Sequence, residues 1–244
     1  MKIIDLIHNI IKKRTMHVTL LDPDPEKLGD LEWKIKKLEE FGTDTILIGG
    51  STNIDQSFLD ETIQNIKKIS KLPVILFPGD VSGVSKYADA IFFMSLLNSK
   101  DPYWISGAQA LAAPLIKKLG IESIPMAYLI VEPGMKAGEV GKADLIKRDD
   151  IEKAVNYASA AEQMGMSLVY LEAGSGADQP VPAEMVKAVK NTIKIPVIVG
   201  GGIRKPEQAE EIAKHADIID TGTITEENFE RIRDIIKATI SQKK

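Results

Sequence analysis

The 244-residue sequence contains no cysteine. That absence excludes disulfides and thiolate metal sites. A basic excess is missing too: 31 Lys and Arg stand against 35 Asp and Glu, a formal net charge of −4. A nucleic-acid binder would show a basic surplus or stripe, so nucleic acid is set aside as a partner. No apolar run is long enough to span a bilayer, "AIFFMSLL" being one of the longest, so no integral membrane segment is expected. The opening "MKIIDLIHNIIKKRT" lacks the unbroken apolar stretch of a secretory signal, because Asp5, His8 and Asn9 interrupt it with helical spacing. It predicts an extra N-terminal amphipathic helix on a cytoplasmic protein. Linker-like and low-complexity segments are also missing, so residues 1–244 read as one domain.

What the sequence does contain is a regular alternation. Eight short apolar runs start at positions 16, 45, 73, 90, 123, 168, 196 and 217, and charged amphipathic stretches separate most of them. Continuous apolar runs alternating with helices imply a parallel sheet buried on both faces. Eight of them, in a chain of this length, fit an α/β fold of the (β/α)8 TIM-barrel type. One interval is too short. Between the third and fourth runs lies "GDVSGVSKYADA", with scarcely room for a turn of helix, whereas a parallel crossover normally carries a full one. The third helix is therefore expected to be missing or vestigial, which opens the barrel wall to a long ligand.

In such barrels the active site lies at the C-terminal strand ends. Those positions read Asp22-Pro23-Asp24, Gly49-Gly50-Ser51-Thr52, Pro78-Gly79-Asp80, Glu172 with Gly174-Ser175-Gly176, Gly200-Gly201-Gly202, and Gly222-Thr223. Glycines let backbone N–H groups approach an anion closely, and loops after strands 7 and 8 are a recurrent phosphate grip. Three clusters on consecutive strands favour a phosphate over mere tight turns. Pro206 reads as the first residue of the helix that follows. Glu172, beside that grip, can orient or deprotonate a substrate hydroxyl. Asp22, with Ser51 and Thr52, offers the hard oxygens that suit Mg²⁺; Asp24 fits a helix cap equally well. His17 starts its strand and reads as structural. No strand end carries a histidine, which argues against a sugar-phosphate isomerase. Phe77, Phe92, Phe93, Met94, Tyr103 and Trp104 fall near the short crossover, where they serve either the core or a groove for an apolar substrate.

Several segments are similar to one known family. "HVTLLDPD", "IGGST", "FFMSLLNSKDPYWISGAQ", "YLEAGSGA", "VGGGI" and "TGT" resemble, in order and over nearly the whole chain, the signatures of geranylgeranylglyceryl phosphate synthases. The resemblance implies an Mg²⁺-dependent prenyltransferase that joins a C20 group from geranylgeranyl diphosphate to the 3-hydroxyl of sn-glycerol 1-phosphate. Related bacterial enzymes use a longer donor, and a non-catalytic phosphate-binding barrel is the remaining alternative. The resemblance further implies Asp22 and Ser51 as Mg²⁺ ligands, and Glu172 as the catalytic residue. It assigns glycerol phosphate to Tyr170, Leu171, Glu172, Ala173, Gly174, Ser175 and Gly176, with Gly201, Gly202, Gly222 and Thr223 on the phosphate. A homo-oligomer is also implied. Two positions depart from the pattern: Pro25 stands where a basic residue is common, and Asp220 where an apolar one is.

Overall fold

A computed structural model describes residues 1–24, 29–49 and 55–243. Helix α1 (Ile3–Ile11) precedes β1 (Met16–Leu21), α2 (Leu31–Phe41), β2 (Thr45–Gly49), α3 (Gln56–Ile69) and β3 (Val74–Phe77). Strand β4 (Ala90–Leu96) leads through a wide π-type turn (Tyr103–Gly107) into α4 (Ala108–Leu119) and β5 (Glu122–Ile130). There follow α5 (Met135–Val140), α6 (Ile151–Gln163), β6 (Leu168–Glu172), α7 (Ala183–Thr192) and β7 (Val197–Gly200). The last elements are α8 (Pro206–Ala213), β8 (Ile218–Thr221), α9 (Ile224–Glu227) and α10 (Phe229–Ile240). All eight strands are parallel and pair in sequence order, and β8 closes on β1 through Met16 opposite Ile218. The barrel expected from the eight apolar runs is present.

Strand pleating sorts side chains into two cores, since neighbours point to opposite faces. On β6, Leu168 and Tyr170 fill the barrel interior, while Val169 and Leu171 pack under the helices. The same parity puts Val18, Leu47, Phe92, Met126, Ile198 and Ile218 inside. Helix α1 follows the amphipathic reading and covers the N-terminal end of the barrel: Ile7 is fully buried among Met16, Ile124 and Leu168. The Glu122 carboxylate anchors it by accepting from the backbone N–H groups of Ile3 (2.6 Å) and Ile4 (3.0 Å). Side-chain caps start the wall helices, with Asp30, Asp55, Asp150 and Asn228 each accepting an N–H three residues on.

Residues 78–89 carry turns and no helix. The third helix is absent as the short crossover required. Asp80 holds the loop by accepting from Ser82 N (2.8 Å), and Ser85 Oγ ties it to Asp60 on α3 (2.5 Å).

His17 lies on the helix-facing side of β1, fully buried, with Nδ1 on Thr43 Oγ1 (2.9 Å) and Nε2 on Thr221 Oγ1 (3.0 Å). Burial, with the Arg14 charge in support, lowers its pKa to about 3. The imidazole therefore stays neutral in the fold, while in the unfolded chain it takes up a proton below about pH 6.5. Its contribution to stability is full above that value and is lost as pH falls toward 3, by at most about 1.4 kcal/mol per pH unit. Urea melts between about pH 7 and 4 should show this loss. His17→Gln should have a lower midpoint at neutral pH and a flatter pH dependence; an unchanged slope would contradict this account.

Candidate active site

The C-terminal end of the barrel holds two cavities that share a wall. The larger, ≈ 340 Å³, begins at Asp22, Ser175 and Thr223. It passes Phe77, Met94 and Tyr128 and leaves through the side of the barrel to Trp104, Ala108, Ala112 and Ile116. It thus reaches the wall where the third helix is missing. Its outer side is fastened to β4 by two hydrogen bonds: Gln109 Nε2 donates to Met94 O and Ser95 Oγ donates to Ile105 O, both at 2.6 Å. The smaller cavity, ≈ 40 Å³, is the more polar of the two and is lined in part by Ser175, Gly176, Gly201, Gly202, Arg204, Asp220, Gly222 and Thr223. Ser175 Oγ and Thr223 Oγ1 meet 3.0 Å apart across its rim.

Glu172 belongs to both cavities. As the last residue of β6 it has the inward parity of Tyr170, and it is 6% exposed. Its Oε1 accepts from Gly174 N–H (2.6 Å) and its Oε2 from Tyr128 O–H (2.9 Å). Burial raises its pKa above the ordinary carboxylate value, and those two hydrogen bonds pull back in the other direction. The result is a carboxylate that is fixed in place and more basic than one in water.

The glycines around it are sterically required. A Cβ on Gly200 would collide with the Tyr170 hydroxyl. On Gly201, at φ +79°, it would sit 2.7 Å from both N and O of Gly174 and strike Glu172 Oε1. Backbone thereby comes close enough to line the small cavity directly.

The structure brings together Asp22, Tyr170, Glu172, Ser175, Gly176, Gly201, Gly202, Gly222 and Thr223 along these two cavities. Gly174 supports Glu172 from the adjoining turn. Leu171 and Ala173 differ from the rest: both are fully buried in the helix layer, so neither side chain faces the mouth. Ser51 and Pro25 lie outside the described residues. Pro206 begins α8, but the first amides there, of Arg204 and Lys205, are both taken by Gln208 Oε1 at 2.9 and 3.0 Å. Of the aromatic group, Phe77 and Phe92 fill the barrel interior and Phe93 packs toward the helices.

The PcrB family pattern matches residues 8–240. The geranylgeranylglyceryl phosphate synthase of Pyrococcus horikoshii is 53% identical over 229 residues, 92% of this chain and 89% of that one. The chain belongs to the PcrB family. Within it, this chain groups with the geranylgeranylglyceryl phosphate synthases, whose solved structures share its fold. The Thermoplasma volcanium enzyme is 47% identical with a TM-score of 0.95, each chain covered fully. The Thermoplasma acidophilum enzyme, in complex with its substrate sn-glycerol-1-phosphate, is 44% identical with a TM-score of 0.94 and 99% of each chain covered.

Two residues of this site, Tyr128 and Arg204, were not singled out by the sequence, and a third, Asp220, was singled out without a role. Tyr128 donates to Glu172 from the neighbouring strand, a relation set by the register of Leu129 with Leu171. Arg204 borders the small cavity while donating to Ala177 O (2.7 Å) and forming a pair with Glu227 (2.8 Å). Asp220, whose orientation the sequence left open, points into the barrel and accepts from Tyr170 O–H at 2.7 Å.

Proposed function

We propose that the chain transfers a geranylgeranyl group from its diphosphate to the 3-hydroxyl of sn-glycerol 1-phosphate, making the first ether bond of archaeal membrane lipids. The observation that carries this reading is the position of Glu172, the carboxylate common to an apolar groove and a glycine-lined polar cavity. A prenyl chain suits the first and a phosphate monoester the second. The synthase relatives support the assignment of both substrates.

The chemistry is one substitution at the allylic carbon. The C–O bond to diphosphate breaks, the diphosphate leaves with the electron pair, and the glycerol oxygen forms the new bond. Glu172 accepts the proton that this oxygen loses. Tyr128 and the Gly174 amide hold the carboxylate in line while it does so. Much of the acceleration comes from seating both substrates against that one group.

Asp22 is the described residue suited to a divalent cation, because its carboxylate borders the large cavity at the end of β1. The described residues contain no cluster of three acidic, His or Cys side chains. That sparse donor set fits Mg²⁺, which keeps waters and takes substrate phosphate oxygens. Asp22 and Ser51 would hold it, and it would neutralise charge on the departing diphosphate. No described helix is long and apolar enough to cross a membrane. The reading is completed by a cytoplasmic location and a homo-oligomer, for which the exposed Leu111 and Leu115 on α4 offer apolar surface.

Pyrophosphate release tests the reading. Release with the C20 donor and sn-glycerol 1-phosphate, abolished by EDTA and slower with shorter or longer donors, is the expected result. No release with any donor would contradict it. The phosphate cavity makes its own prediction: Gly201→Ala, which crowds Gly174 and Glu172, should raise KM for the acceptor by about tenfold or more and change KM for the donor far less. An unchanged acceptor KM would move the phosphate elsewhere.

A further inference from the structure

Beneath Glu172 lies a second buried acid for which the proposed reaction has no use. Asp220 is 3% exposed and its Oδ2 accepts from Tyr170 O–H at 2.7 Å. Its Oδ1 makes no hydrogen bond among the described residues. Glu172, by contrast, is served by two well-placed donors, Tyr128 and the Gly174 amide. Both acids border the small cavity, and the two phenols that donate to them, Tyr128 to Glu172 and Tyr170 to Asp220, lie edge to face with ring centres 5.2 Å apart. Burial disfavours ionisation of both carboxyls, and the Glu172 charge adds to that penalty at Asp220. Glu172, with a donor on each oxygen, keeps the charge, and the proton stays on Asp220.

We infer that Asp220 is a positioning residue for the acceptor: while it holds a proton the phosphate cavity stays receptive and Glu172 stays ionised, and when it loses that proton acceptor binding weakens. Burial, with the Glu172 charge adding to it, lifts the Asp220 carboxyl to about 7, so this change falls within the working range of pH. Among the described residues, the surrounding elements supply no other charge that would replace it. Val18 and Leu20 of β1 and Ile198 and Gly200 of β7 are apolar neighbours within the barrel. Tyr170 and Glu172 come from β6 and Tyr128 from β5, while burial, followed by the nearby acids, holds both phenols well above their usual range and therefore neutral. His17 pairs with Thr221 on the opposite side of β8, and Arg204, at the rim, is paired with Glu227. An ionised Asp220 thus adds a negative charge under an anion, opposed among the described lining residues of the small cavity by Arg204 alone.

The inference rests on the glycerol-phosphate reading, and direct binding separates the two. Calorimetric Kd values for sn-glycerol 1-phosphate at about pH 6 and 8.5, straddling the Asp220 titration, are compared for wild type and Asp220→Asn. The acceptor's own ionisation is common to both proteins. The ratio of Kd at high to low pH should be about tenfold larger in wild type. Equal ratios would overturn the inference, whereas no binding to wild type at either pH would overturn the substrate reading instead. A second measurement needs no variant. The infrared band of a protonated, buried carboxyl should be present in wild type at the lower pH and bleach at the higher one. Its absence at the lower pH would also overturn the inference, and it remains decisive if Asp220→Asn does not fold.

Discussion

Glu172→Gln should lower kcat by about 10² to 10⁴-fold, the range that a lost general base commands, with little change in melting temperature. Glutamine keeps the side-chain volume: its carbonyl oxygen still accepts from the Gly174 amide, and its NH2 group can donate to the Tyr128 hydroxyl once that O–H turns away, so contacts to β5 and to the turn survive. The charge and the basicity are lost. KM for both substrates should change by less than the turnover, because the groove and the polar cavity keep their walls. Steady-state kinetics beside a thermal melt decide the matter. Near-normal turnover in a folded variant would remove Glu172 from the reaction, and with it the observation on which the functional reading rests.

The second large effect concerns the donor. Ala112 lies on α4 along the open side of the barrel, and its small side chain borders the large cavity beside Ile116. Ala112→Trp places an indole where the distal prenyl chain would lie. Denying burial to one isoprene unit of five carbons costs up to about 4 kcal/mol at ~0.8 kcal/mol per CH₂, or as much as about 10³-fold in kcat/KM. The C20 donor should lose most of its kcat/KM while a shorter donor keeps most of it. Acceptor KM should stay put, since the phosphate cavity is on the far side of Glu172. Equal losses for long and short donors would mean that the prenyl chain does not follow this groove.

Much of this architecture was legible because the relevant signals are local. Each barrel strand is a short apolar run, and the missing helix shows as a crossover with too few residues to form one. Glu172 was legible for the same reason: an acid ending such a run, followed by glycines, stands at the mouth of a barrel. Relations between strands were not legible in this way. That Tyr128 reaches Glu172 depends on the β5–β6 register, which a single sequence does not state. Asp220 was ambiguous because "DIIDTGT" carries no clear alternation; only the pairing of β8 with β1 and β7 fixes its inward face. Leu171 and Ala173 illustrate the opposite case. The period of two that turns Tyr170 and Glu172 inward turns these two outward, so the pleat carried information that a continuous run of contacts overlooked.

Asp220 gives this chain a feature that the family resemblance did not lead one to expect. An apolar residue there would leave the Tyr170 hydroxyl without its present partner, whereas the acid supplies one and introduces a titrating group under the phosphate cavity. The fold tolerates the acid because Tyr170 donates to it and because it can keep its proton.

The central claim is that Glu172 joins an allylic carbon to a glycerol oxygen, and product identity tests it most directly. The chain would be incubated with geranylgeranyl diphosphate, sn-glycerol 1-phosphate and Mg²⁺, and the lipid fraction resolved by mass spectrometry and NMR. The account predicts a single ether, with the C20 chain on the 3-oxygen of the glycerol phosphate, formed in equal amount to the pyrophosphate released. Pyrophosphate accompanied by free geranylgeraniol, with no ether, would contradict it.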